Sequence, residues 1–202
     1  MSRLITNAIR STSATADAIT MDGSGNVTFP ANATCSGTAT GFGGGKLVNY
    51  SNTLKTDTFS QQLGQGGVSN DIISVSHTAS STNNKLLISY SINCASSYSG
   101  IMALFAYLYI GGSVSTVRGD ASSSRARITT AGFGNNDHAL NQSFQTIIQA
   151  ASTNATTYSI RIQHTDNSTH TLYLNRGYDA QDANYIGRSC SSIQVLEFEP
   201  NT

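Results

Sequence analysis

Between residues 101 and 110 the chain reads IMALFAYLYI, and no other stretch restricts its fold so tightly. Ten apolar residues are about half of what a membrane-spanning helix requires, so no membrane insertion is expected. Read as a strand, the run places Met102, Leu104, Ala106, Leu108 and Ile110 on one face and Phe105, Tyr107 and Tyr109 on the other. Both faces then need a cover. The aliphatic row is expected in the protein's own core. The aromatic row, with polar tips that suit association surfaces, is expected at a subunit interface.

The surrounding sequence supplies partners for such a strand. Leu86, Ile88, Tyr90, Ile92 and Cys94 alternate with mostly polar residues, the period-2 signature of a half-buried strand. Tyr158, Ile160 and Ile162 alternate before a polar HTDNSTH segment and then Leu172 and Leu174, which reads as a hairpin with a loop. SSIQVLEFE closes the chain as a strand, and LVNY, DIISVSH, RARITT and QTIIQA are weaker candidates. Clusters such as Gly111-Gly112-Ser113 and Gly132 to Asp137 read as the loops between them. No dozen residues keep a helical apolar stripe. The expected fold is therefore all-β, an antiparallel sandwich of jelly-roll type. Before residue 46 there is too little apolar area to offset backbone ordering, about 1 to 2 kcal/mol per residue. Residues 1–45 are thus expected to form an extended N-terminal arm with a glycine-rich hinge from Thr38 to Gly45, and residues 46–202 the β-sandwich head.

Charge and chemical motifs narrow the function. Lys plus Arg equals Asp plus Glu, the formal net charge is zero, and no basic run exists, so nucleic acid is not an expected partner. Charged residues are only 11% of the chain, against roughly a quarter in soluble domains, which suits a surface largely occupied by other subunits. The first residues show no apolar core of signal-peptide length. Cys35, Cys94 and Cys190 are widely spaced and indicate neither a disulfide framework nor a zinc site. GFGGGK lacks the first Gly and the final Ser or Thr of a phosphate loop. Glu197 and Glu199 are the only glutamates and share one strand, so no paired-carboxylate catalyst is expected, and no cofactor. His164, Asp166 and His170 have metal-ligand chemistry but read more simply as a solvated loop, so no metal site is assigned. Tyr98, Tyr178 and Tyr185 fall in loops where they would either stack on a glycan ring or seal the end of the sandwich. Arg176 is expected to pair with Asp179 or Asp182 in the same loop.

Two longer stretches resemble known proteins. "AITMDGSGNVTFPANATCSGT" is similar to the opening of tailed-phage fibre and virion-appendage proteins, and "HTLYLNRGYDAQDANYIGRSCSSIQVLEFEP" resembles the last strands of β-sandwich heads on such proteins, especially in marine and cyanobacterial phages. Together they cover about a quarter of the chain. The heads are similar in architecture to the trimeric jelly rolls of the tumour necrosis factor and complement type. The resemblance implies a virion location, a homotrimer, and an arm whose Ile19, Met21, Val27 and Phe29 anchor it to other virion proteins. It implies a short tail fibre or appendage, with host-surface glycan as a further partner. A capsid decoration protein and a free carbohydrate-binding module are the alternatives.

Overall fold

In a computed structural model of the chain, residues 8–9, 19–24, 27–28, 46–134, 139–178 and 187–200 are described. The chain divides into two compact units, residues 1–43 and 44–202. Among the described residues there is no helix.

The first unit holds β1 (Ala8–Ile9), β2 (Ile19–Met21) and β3 (Val27–Thr28), a three-stranded antiparallel sheet in that order. β2 and β3 are the two short apolar stretches either side of the DGSGN turn, paired Thr20 to Thr28 and Met21 to Val27. Asp22 Oδ1 accepts the Ser24 N–H at 2.9 Å and so closes the start of that turn. β1, two residues long, is too short to show a period and was not expected. Ile9, Met21 and Val27 are exposed and Ile19 is partly buried. Phe29, Cys35 and the expected hinge lie outside the described residues.

The second unit is a sandwich of two antiparallel sheets. Its strands are β4 (Leu47–Lys55), β5 (Phe59–Leu63), β6 (Ile73–His77), β7 (Lys85–Ser96), β8 (Met102–Ile110), β9 (Ser113–Val114), β10 (Thr130–Gly134), β11 (Leu140–Gln149), β12 (Thr156–His164), β13 (His170–Leu174) and β14 (Ser191–Phe198). β8 pairs with β10, β7 with β11, β6 with β12 and β4 with β14. Each partnership encloses the one before it, which is the nested pairing of a long hairpin rolled into a jelly roll. Sheet one runs β4-β14-β7-β11, with β13 and β5 continuing beyond β14 along the same edge of β7. Sheet two runs β10-β8-β12-β6, with the short β9 beside β8.

The core lies where the alternation places it. Leu86, Ile88, Ile92 and Cys94 of β7, Leu104, Ala106 and Leu108 of β8, Ile160 and Ile162 of β12, and Ile193 and Val195 of β14 all face inward and are buried. Each large aliphatic side chain so covered contributes about 1.5 to 3 kcal/mol. The aliphatic row of residues 102–108 is thus the interior row.

Three expectations need correction. Residues 156–174 are not a hairpin: both edges of β12 are taken by β8 and β6, so β13 crosses to sheet one and pairs with β5 and β7. Residues 125–129 are not a strand, and the strand falls instead on Thr130–Gly134, running into the glycine cluster read as loop. There glycine answers a close approach rather than a turn, because a Cβ on Gly134 would lie 2.6 Å from Leu104 Cδ1 and one on Gly132 would strike Gln142. β5 was not expected at all; only Phe59, Gln61 and Leu63 turn inward, and Gln61 hides the alternation.

Candidate functional site

The outward side chains of sheet two come from the doubly apolar strand. Phe105, Tyr107 and Tyr109 project from the sandwich, and each is only partly exposed. Their cover is local. Tyr107 donates its hydroxyl to Gln163 Oε1 at 2.7 Å, and Gln163 Nε2 donates in turn to the Gly66 carbonyl at 2.7 Å. Arg161 lies 4.1 Å from the Tyr109 ring centroid and bonds Asp71 at 2.6 Å. Residues 115–129 close the gap that β9 and β10 leave along one edge of β8, with Ser115 N–H bonding the Leu108 carbonyl and Thr129 Oγ1 accepting the Leu108 N–H. The Tyr107 tip and the Tyr109 ring face are therefore both engaged within the chain.

Sheet one presents a different outer face. Register places Tyr50, Leu196, Leu87 and Ile147 side by side on one rung, then Asn52, Gln194, Ser89 and Gln145, then Leu54, Ser192, Ser91 and Ser143. None of these side chains carries a charge. Tyr50, Leu54 and Ile147 are 67%, 61% and 65% exposed, and the next rung sets Leu47 and Phe198 beside Lys85, whose Nζ bonds Gln149 Oε1 at 2.6 Å. Gln194 Nε2 bonds Ser89 Oγ at 2.8 Å and Asn141 Nδ2 bonds Ser91 Oγ at 2.8 Å, which fixes the amide rows in place. A broad, sparsely charged face with large exposed apolar side chains is the usual mark of an association surface.

At one edge of the sandwich a buried polar group joins four segments. Glu197 Oε1 accepts the N–H and hydroxyl of Ser80, each at 2.8 Å, and the Asn84 amide. Glu197 Oε2 faces His77 Nε2 at 3.3 Å, and His77 Nδ1 meets Ser51 Oγ at 3.0 Å. The His77 and Glu197 side chains are fully buried. Burial alone would raise the Glu197 pKa, but the hydrogen bonds from Asn84, Ser80 and His77 outweigh it and hold the carboxyl below its ordinary range. Ser, His and carboxylate in sequence have the composition of an acyl-transfer relay. Here every carboxylate oxygen is already bonded and the imidazole has no open approach, so the geometry is that of a latch between β4, β6, β14 and the 80–84 turn.

The loop residues separate. Tyr98 packs on the rim of the core and sets its ring 5.3 Å from His170, edge to face. His170 donates to Asp166 at 2.8 Å, which lowers the Asp166 pKa, and His164 turns inward to bond the Leu63 carbonyl at 3.1 Å. Far from forming a solvated tip, His164 is buried and its ring lies 5.6 Å from that of His170. Among the described residues no three His, Cys, Asp or Glu side chains are placed to hold a metal. Cys94 is buried, its thiol pushed up to about 12 by that burial, and Cys190 is exposed. Tyr178 is half exposed beside Tyr173, while Tyr185, Asp179 and Asp182 lie outside the described residues. No family model matches the chain, and comparison with curated proteins returns no match.

Sequence reading missed the Glu197 latch and the sheet-one face. The latch joins residues up to 120 positions apart, so no local pattern announces it. The face is spread over the polar-looking parity of four strands, where Leu87, Ile147 and Leu196 each seem like isolated exceptions.

Proposed function

We propose that this chain is a structural virion protein, a short trimeric tail fibre or appendage whose N-terminal unit docks on other virion proteins and whose sandwich faces the host. The observation that carries the reading is the apolar-rich outer face of β4, β14, β7 and β11, on which Lys85 is the one charge in the four rungs described. Left in water it would expose Tyr50, Leu54, Ile147 and Leu47 together; closed cyclic assembly covers it on every copy and leaves no sticky face over. The number three comes from the likeness to appendages with trimeric jelly-roll heads. We assign the contact to this face in place of the Phe105, Tyr107 and Tyr109 row, because the Tyr107 hydroxyl is bonded to Gln163 and the Tyr109 ring is covered by Arg161. Exposed Ile9, Met21 and Val27 supply the apolar groups for docking the first unit on a neighbour.

Deleting residues 1–40 tests the division of labour. A folded sandwich that no longer enters particles is the expected result. Retention in particles would assign docking to the sandwich, and a capsid decoration role would then be the better reading.

A further inference from the structure

Residues 115–129 join β9 to β10, and their far end is open to solvent. Every residue from Gly119 to Arg127 is exposed, and none of them lies in a strand. Apart from Asp120, Arg125 and Arg127, the stretch holds only Gly, Ala and Ser. Among the described residues its one internal main-chain bond runs from the Arg125 N–H to the Ser122 carbonyl at 3.0 Å, around Ser123 in the left-handed region at φ 48°. Below that tip the two arms are tied together. The Gly119 N–H bonds the Ile128 carbonyl at 3.0 Å, Arg127 Nε donates to the Gly119 carbonyl at 2.8 Å, and Thr129 Oγ1 donates to the Val117 carbonyl at 3.0 Å. The result is an open loop on a fixed base.

A protease requires several residues to give up their own bonds and extend through its cleft, and exposed tips of small, polar residues do so at least cost. The basic side chains decide which protease and which bond. Arg118 is partly buried with its Nε enclosed, and Arg127 is fastened to Gly119. Lys55, Lys85 and Arg161 lie in paired strands. Arg125 is exposed, and among the described residues it has no carboxylate partner, Asp120 of the same loop included.

We propose that the Arg125–Ala126 bond is a processing site for an arginine-directed serine protease of trypsin type, whose acidic primary pocket takes the Arg125 guanidinium. Water adds across the amide: the bond from Arg125 C to Ala126 N breaks, Arg125 gains a carboxylate and Ala126 an amine. The cut falls at the turning point of the nested strands. β4 to β9 lie before it and β10 to β14 after it, and among the described residues every strand pairing of the sandwich except β8 with β9 joins one piece to the other. Neither piece holds the partners for a sheet of its own; together they keep the whole core. The processed head therefore stays folded as two interlocked chains. The loop hangs from β8 of sheet two, so the inference stands apart from the assembly face proposed on sheet one.

Limited trypsin digestion of the native full chain, read by intact mass, tests the site. The first cut within residues 46–202 should follow Arg125, and the nicked head should elute from gel filtration as one species that separates only in denaturant. Arg125→Gln should slow cleavage between residues 119 and 128 by at least about tenfold with melting unchanged, while Arg127→Gln should still be cut after Arg125. A first cut after Arg161, Arg176 or Arg188, a native sandwich that resists trypsin able to digest the heat-unfolded chain, or an Arg125→Gln loop cut as fast as the parent would each overturn the site. Pieces that come apart or unfold on cleavage would overturn the interlocked head.

Discussion

Glu197→Ala should cost the sandwich about 3 kcal/mol, and the figure follows from the atoms left behind. Removing the carboxylate leaves the fully buried His77 Nε2 without a partner, at about 1 to 3 kcal/mol, and takes the acceptor from the Ser80 N–H, which costs less because Ser80 is exposed and water can reach it. Asn84 suffers less, because its amide also reaches Ser80 Oγ at 3.0 Å. Glu197→Gln should be far milder, about 1 kcal/mol. Its carbonyl oxygen can still accept from Ser80 and Asn84. Its NH2 would face His77 Nε2, and His77 can answer by moving its proton to Nδ1 and donating to Ser51 Oγ. Urea unfolding of the two variants and the parent, compared at equal m-value, measures both costs. An alanine variant within about 1 kcal/mol of the parent would refute the latch. A glutamine variant as damaged as the alanine one would refute the tautomer argument and show that the negative charge is required.

Other consequences are checked as directly. Because the folded Glu197 pKa is lowered, its stabilisation is present above the unfolded value, about 4.3, and is lost as pH falls through the folded one; the urea midpoint should fall below about pH 4, less steeply in Glu197→Gln. Leu108→Ala, at a fully buried core position, should lose about 2 to 5 kcal/mol in thermal or urea unfolding, while Tyr107→Phe, which removes only the bond to Gln163, should lose about 0.5 to 1.5 kcal/mol. Gly134→Ala should lose about 1 to 3 kcal/mol by forcing Leu104 aside, and a variant as stable as the parent would show that the glycine is there for some other reason.

The sequence was legible where one residue's neighbours decide its fate. Alternation in residues 86–94 and 102–108 assigned the inward row because side chains in a strand change face at every step. It was not legible where distant strands compete for an edge. Nothing in residues 156–174 says that β8 and β6 will occupy both sides of β12, and without that knowledge the polar HTDNSTH segment looks like a hairpin loop. Gly132 and Gly134 misled for a related reason, since a glycine that yields to a facing side chain is spelled like one that makes a turn. The candidate surfaces divide in the same way. Tyr178 was visible as an aromatic residue in a loop; the outer face of sheet one acquired meaning only when register set Tyr50, Leu196, Leu87 and Ile147 on one rung.

The account depends most on the claim that copies of this chain join through the outer face of sheet one. Light scattering on the purified full chain and on Ile147→Asp measures that claim directly. The parent should have three times the 21.2 kDa chain mass. Ile147→Asp, which buries a charge at any contact on that face yet sits at an exposed position of the single chain, should have the mass of one folded chain. A parent that is monomeric at micromolar concentration, or an Ile147→Asp variant that stays assembled while Tyr107→Ala dissociates, would contradict it.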